Sequence, residues 1–264
     1  MWKKTVLIYV LLIMILLSSP IIAQQDIQSI VTDRPDQTES PLVVPLDYFQ
    51  IETGFIYQFQ EFSEQNIKIE NQNLTLASTL CRYGISSLFE FRFGGEYLYG
   101  QSYLNEQKKI TQGFQNILLG AKMQIRKNQK YFSNVGIILQ SILPFGNIAL
   151  KPDRFLPQLI VCVNQNLADN YSLGVNIGLE DNFEFDKYSF IYTASLALEI
   201  SNKVASFFEI YGDATNGFKP NFNIDCGLTY LHRENIQVDF SLGTAISDDV
   251  DWFGGFGISI RLPK

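Results

Sequence analysis

The chain has 264 residues, with 20 basic and 27 acidic side chains and a formal charge of −7. An acidic product without a basic patch is a poor candidate for nucleic-acid binding. Its three cysteines, Cys81, Cys162 and Cys226, are an odd number in no metal-like spacing, which excludes a fully paired disulfide framework and a cysteine metal cluster.

Residues 1–23 read as a secretory signal peptide. Lys3 and Lys4 precede an unbroken apolar run from Val6 to Leu17, and 18-SSPIIAQQ-25 places Ala23 before the cut. The run is too short to span a bilayer as a helix, which takes about 20 residues. Cleavage leaves 18 basic side chains against 27 acidic ones, a charge of −9. With no cysteine after the cut, a lipid anchor is not expected.

Residues 24–45 form a leading segment with Asp33, Arg34, Asp36 and Glu39 among prolines at 35, 41 and 45. Prolines and the absence of alternation disfavour a strand. Either this segment enters the bore formed by the β-rich remainder of the chain as a plug or gate, with Arg34 meeting Glu52 or Glu90, or it trails in the periplasm.

From residue 46 to 264 the chain reads as an all-β, antiparallel, up-and-down transmembrane β-barrel of about 12 strands. Stretches of roughly ten residues alternate apolar and polar side chains, as a strand does when one face meets lipid and the other a wet lumen. In 49-FQIETGFIYQF-59, Phe49, Ile51, Thr53, Phe55, Tyr57 and Phe59 share one face, and only Ile56 breaks the polar one. In 236-IQVDFSLGTAIS-247, Ile236, Val238, Phe240 and Leu242 oppose Gln237, Asp239, Ser241 and Gly243. Such a second face could hardly be the core of a soluble sandwich.

The strands expected are 46–61, 74–83, 88–99, 113–126, 132–144, 155–167, 171–181, 188–200, 204–212, 220–231, 236–246 and 252–262. Short turns alternate with longer loops, the longest being Phe62–Asn73 and Gly100–Gln112, and both chain ends fall on the short-turn rim. That is the outer-membrane arrangement, and closure satisfies backbone groups where no water reaches. Twelve strands spaced about 4.8 Å and tilted about 40° give a backbone diameter of roughly 24 Å and a free bore of about 10 Å or less.

Aromatic residues near strand ends, Tyr48, Tyr97, Tyr99, Tyr131, Phe132, Tyr171, Tyr188, Tyr211, Tyr230, Trp252 and Phe253, suit rim girdles. Three strands are irregular. In 74–83 Arg82 shares a face with Leu80, Leu76 and Leu74, 132–144 is apolar on both faces around Ile137 to Leu139, and 204–212 puts Ala205, Phe207, Glu209 and Tyr211 inward. A plug against the inner wall would account for the second.

These phases point Glu52, Glu90, Arg92, Glu96, Lys122, Arg126, Asp239 and Arg261 into the bore. Mixed charges in a narrow, partly dry channel pair with one another, because unpaired burial costs several kcal/mol. They read as a salt-bridge lattice holding the barrel closed, as a polar track or constriction selecting solutes, or as both.

The segment 32-TDRPDQTESPLVVP-45 running into 50-QIETGF-55 resembles a family of bacterial outer-membrane transporters of the phenol meta-pathway type. Further matches lie in order at 80-LCRYGI-85, 90-EFRFGGEY-97, 118-LLGAK-122, 143-LPFG-146, 225-DCGLTYL-231 and 236-IQVDFSLG-243. The resemblance implies an outer-membrane barrel that passes or binds small organic molecules, and it carries no catalytic residues to transfer. Such barrels commonly end in an aromatic residue read by the barrel-insertion machinery, whereas this chain ends 258-ISIRLPK-264. Insertion efficiency is what that departure is expected to affect.

An enzyme is not expected. The single histidine, His232, falls in a short turn, and Glu90 and Glu96, six residues apart on one strand, stand about 20 Å from each other. No phosphate loop opens a helix, and 248-DDVD-251 lacks the glycine and later glutamate of a calcium loop, so neither cofactor nor metal is expected. The expected partners are outer-membrane lipid, a small-molecule solute and the insertion machinery, with the oligomeric state left open. A passive channel for small, hydrophobic or aromatic molecules is the leading reading, and a non-conducting scaffold or binding barrel is its rival.

Overall fold

A computed structural model describes residues 29–64, 67–104, 107–126, 134–182, 187–246 and 250–262. The expected signal peptide, the first residues of the leading segment, Tyr131, Phe132 and Lys264 lie outside the described residues. Twelve strands form in chain order: β1 Phe49–Glu64, β2 Ile67–Gly84, β3 Phe89–Leu104, β4 Gln107–Arg126, β5 Asn134–Ile142, β6 Leu156–Ala168, β7 Tyr171–Asn182, β8 Lys187–Ser201, β9 Val204–Thr215, β10 Asn221–Arg233, β11 Ile236–Ala245 and β12 Val250–Leu262. Each pairs antiparallel with its chain neighbours, and β1 closes the barrel on β12 in a register running from Phe49↔Leu262 to Glu61↔Val250.

The burial pattern inverts that of a water-soluble protein. Gln50, Glu52, Arg82, Glu90, Arg92, Lys122, Glu209 and Ser259 are buried, while Phe55, Phe93, Phe114, Leu139, Ile177, Phe208, Phe240 and Phe256 are exposed. In water such a belt would be an aggregation surface, and in hydrocarbon it is the solvated face. Directly paired residues share a face, so one buried polar residue fixes the inward set of its neighbours around the ring. Leu139, central in the short strand β5, is 62% exposed. Leu139→Arg is expected to cost about 2–4 kcal/mol of stability near the bilayer midplane, read by denaturant unfolding in phospholipid vesicles.

The strands β1 to β4 run further than the alternation indicated. The segments expected as long loops, 62–73 and 100–112, are largely strand, with Phe62↔Ile69 and Ser102↔Lys109 still paired. Beyond the apolar belt both faces of a hairpin meet water, so the period-two signal fades although the ladder continues. Likewise β9 continues to Thr215, and the last short turn is Glu234–Asn235, which leaves His232 exposed at the end of β10.

The phase conflict in β2 is a bulge. Ala77 has φ 55°, and the register with β3 jumps between Leu76↔Tyr97 and Thr79↔Gly95. One extra residue flips the alternation, so Leu74 and Leu76 stay with the outward Tyr99 and Tyr97 while Leu80 and Arg82 turn inward. Asn116, at φ 50°, does the same in β4, which brings Gln115 and Leu118 both to the bore. The double apolar character of β5 also resolves: Leu139 points out, and Ile138 packs inside with Ile160, Cys162 and Ile191.

Aromatic pairs line the outer surface, among them Tyr57 with Trp252 and Tyr97 with Phe114. Two residues expected in these girdles face inward, and for Tyr211 the phase of 204–212 already puts it there. Phe253 lines the lumen cavity, and Tyr211 shares the inner face of β9 with buried Glu209.

Candidate functional site: a lumen segment and the vestibule above it

Residues 29–45 lie inside the barrel with no strand of their own, so their backbone groups need partners from the wall. Wall carboxylates take the N–H groups: Asp33 donates to Glu52 at 2.9 Å, Gln37 to Glu209 at 2.7 Å and Val44 to Glu90 at 2.8 Å. Wall donors take the carbonyls: Gln50 reaches Val31 at 2.8 Å, and the Arg82 guanidinium reaches Val31 at 3.2 Å and Leu42 at 3.0 Å. In the orientation that satisfies both its groups, the Asn176 amide accepts from the Glu39 N–H at 2.6 Å and donates to the Glu39 carbonyl at 3.2 Å. Thr38 bonds Thr193 at 2.6 Å and also Glu209. The wall gives way where the segment passes, since any side chain at Gly136 would meet the backbone of Pro41.

One carboxylate ties the arrangement together. Asp33 sits 3.2 Å from Arg82, 3.0 Å from Arg92 and 2.7 Å from Lys122. Arg82 also holds Glu52 at 2.8 Å and Glu90 at 2.9 Å, and Arg92 holds Glu39 through two bonds of 2.8 and 2.9 Å. Burial alone would push the Asp33 carboxyl up, but Arg82, Lys122 and Arg92 outweigh it and hold Asp33 well below the usual carboxylate range. For Glu39 burial prevails over Arg92 and lifts its carboxyl to about 7.

A second group of acids faces the same segment from β9 and β10. Asp36 lies near Glu209, and Glu209 is paired across the ladder with Asp225. Burial first, and then the Glu209 charge, raises the Asp36 carboxyl to about 8, so it keeps its proton at neutral pH.

Of the residues expected in the bore, Glu52, Glu90, Arg92 and Lys122 meet in the network around Asp33. Asp239 is buried and pairs with Arg34 at 3.3 Å. Arg261 is buried at the short-turn rim, its guanidinium 5.6 Å from the Tyr48 ring centre. Glu96 stands higher, accepting from Ser78 at 3.2 Å, Gln115 at 3.2 Å and Asn116 at 3.0 Å. Arg126 ends β4 half-buried beyond a register shift and is not drawn into the network around Asp33.

One expectation is corrected: Arg34 meets Asp239, not Glu52 or Glu90. Those two carboxylates are already satisfied by Arg82, which the β2 bulge turns inward, and Gly54 and Gly257 leave the room that the Arg34 guanidinium fills. Sequence reading also passed over Arg82 and Glu209. An arginine on a face of leucines is itself the sign of a phase break, and Glu209 already stood on the inward face.

Above this floor opens a cavity of about 410 Å³. Its base is Asp33 to Gln37, and its walls combine Ile56, Leu80, Leu118, Ile142 and Phe253 with Glu96, Gln140 and Gln158. Among the described residues no group of histidine, cysteine and carboxylate side chains could hold a metal ion.

The profile of the family described as "Putative MetA-pathway of phenol degradation" matches residues 32–262. No curated protein matches the chain. Among solved structures, an outer-membrane channel from Pseudomonas putida F1 is similar at 10% identity and a TM-score of 0.63, over 91% of this chain and 100% of that one. The translocator domain of the autotransporter NalP from Neisseria meningitidis is similar at 10% identity and 0.55, over 81% and 88%. The NanC porin is similar at 8% identity and 0.51, over 80% and 100%. At such identities the likeness is one of fold.

Proposed function

The chain belongs to this phenol-degradation family, and from that premise we propose that it is a passive outer-membrane channel for small molecules, closed at its periplasmic half by residues 24–45 acting as a plug. The observation that carries the reading is the docking of residues 29–45 across the bore on Glu52, Arg82, Glu90, Arg92 and Lys122, beneath an open vestibule. The short-turn rim, where Phe49 and Leu262 pair, is the periplasmic one in this orientation. Movement follows the solute gradient. The vestibule's apolar walls suit compact hydrophobic or aromatic solutes, and its polar groups fix their orientation.

Deleting residues 24–43 and recording single channels in planar bilayers tests the plug. A several-fold rise in conductance over the full chain is expected, and unchanged conductance discards the plug. The docked segment equally suits a scaffold that conducts nothing. A flat baseline from both proteins would favour that second reading.

A further inference from the structure

Resting on the channel reading, we propose that the vestibule is a binding site for small organic cations, a single ammonium on a compact apolar body, with Glu96 as the counter-ion. The cavity's two lining cations are already engaged. Arg34 pairs with Asp239, and Arg92 with Asp33 and Glu39, so the charge of each guanidinium already has a carboxylate opposite it, although the buried Nε of each lacks a hydrogen-bond partner. Glu96 is the reverse case. Among the described residues no cation pairs with it, while Ser78, Gln115 and Asn116 fix its carboxylate from three sides. Three neutral donors orient a charge without cancelling it, which leaves the carboxylate pre-organised for a cation supplied by the solute.

A second acceptor points the same way. Gln140 lines the cavity, is 8% exposed, and its Oε1 has no hydrogen-bond partner although its Nε2 donates to Gln158 at 2.8 Å. An unfilled buried acceptor favours an occupant that brings donors. Between these polar points Ile56, Leu80, Leu118, Ile142 and Phe253 supply apolar contact. The volume of about 410 Å³ lies near the small end of the roughly 300–1,000 Å³ typical of small-molecule sites, enough for a single-ring body with a short arm.

Titration calorimetry on the detergent-solubilised mature protein, with benzylamine, benzyl alcohol and benzoate as probes, tests the site without requiring conduction. Benzylamine is expected to bind at least about tenfold tighter than benzoate, a modest margin for a partly desolvated charge pair, with benzyl alcohol between. Glu96→Gln should abolish that preference while leaving benzyl alcohol binding in place, and heat-modifiable gel mobility reports that the variant is folded. Glu96→Asp should retain the preference. Equal binding of the three probes, preference for benzoate, no binding at all, or a folded E96Q that still prefers benzylamine would each overturn the proposal. Conductance recorded on the same preparation separates the two readings. Ions passing without benzylamine binding sinks the site alone, and binding with no conductance from either the mature protein or the protein lacking residues 24–43 sinks the channel alone.

Discussion

Asp33→Asn is expected to undock the leading segment and to be the most damaging single substitution in the bore. Its carboxylate lies within 3.2 Å of Arg82, Arg92 and Lys122, whose side chains are no more than 1% exposed. Removing one member of a buried ion-pair cluster leaves the others uncompensated and costs about 3–5 kcal/mol. With Asp33 neutral, Glu39, Glu52 and Glu90 would have to balance the three cations, and only Glu52 and Glu90 belong to the wall. Two measurements check this. Hydrogen exchange at the Asp33 and Val44 amides, which donate to Glu52 and Glu90, should accelerate, and open-channel conductance should approach that of the protein lacking residues 24–43. Glu39→Gln should do far less, because the Glu39 side chain is 19% exposed where that of Asp33 is 2%. Unchanged exchange in D33N would mean that the segment is held by something other than this charge.

The architecture was legible because lipid and lumen impose opposite chemistry on alternate residues. Runs such as 49–59 and 236–243 carry that imprint residue by residue, and all twelve strands appear in the expected order. Legibility stops at two physical boundaries. Above the belt both faces of β1 to β4 meet water, so Phe62 to Asn73 reads as loop while the ladder persists. At a bulge the backbone, not the side-chain pattern, sets the face. Ala77 at φ 55° gives no residue-type warning of the kind a glycine or asparagine gives, and it decides that Arg82 rather than Arg34 neutralises Glu52 and Glu90. The charged residues were therefore visible one by one, and their pairing was not. Charges that read as a lattice do tie strand to strand, through Arg82 to Glu52 and Glu90 and through Lys122 to Glu90, and the same groups also cap an irregular peptide lying across the bore.

That division of labour makes the docked segment sensitive to pH. Asp36 holds its proton to about 8 when docked, through burial and the nearby Glu209, and Glu39 holds its proton to about 7, through burial against the pull of Arg92 and Lys122. Released into water, both return to ordinary carboxylate values near 4. The docked state thus binds more protons than the released one between pH 4 and 8, and docking weakens as pH rises through that window before levelling off above it. Asp33 acts with the opposite sign. Held low by its three cations, it favours docking above its ordinary value and withdraws that support only as pH falls below about 4. Open probability in planar bilayers at constant salt should be lowest near pH 5, rise through pH 7 and plateau above about pH 8, with Asp36→Asn flattening the upper part of the rise. The groups facing Asp36 are Glu209, Asp225 and Ser195 of the wall and Asp33 of its own segment, so no cation among them compensates once its proton leaves. An open probability that falls with rising pH, or ignores it, would show that these two carboxyls do not set the docking equilibrium.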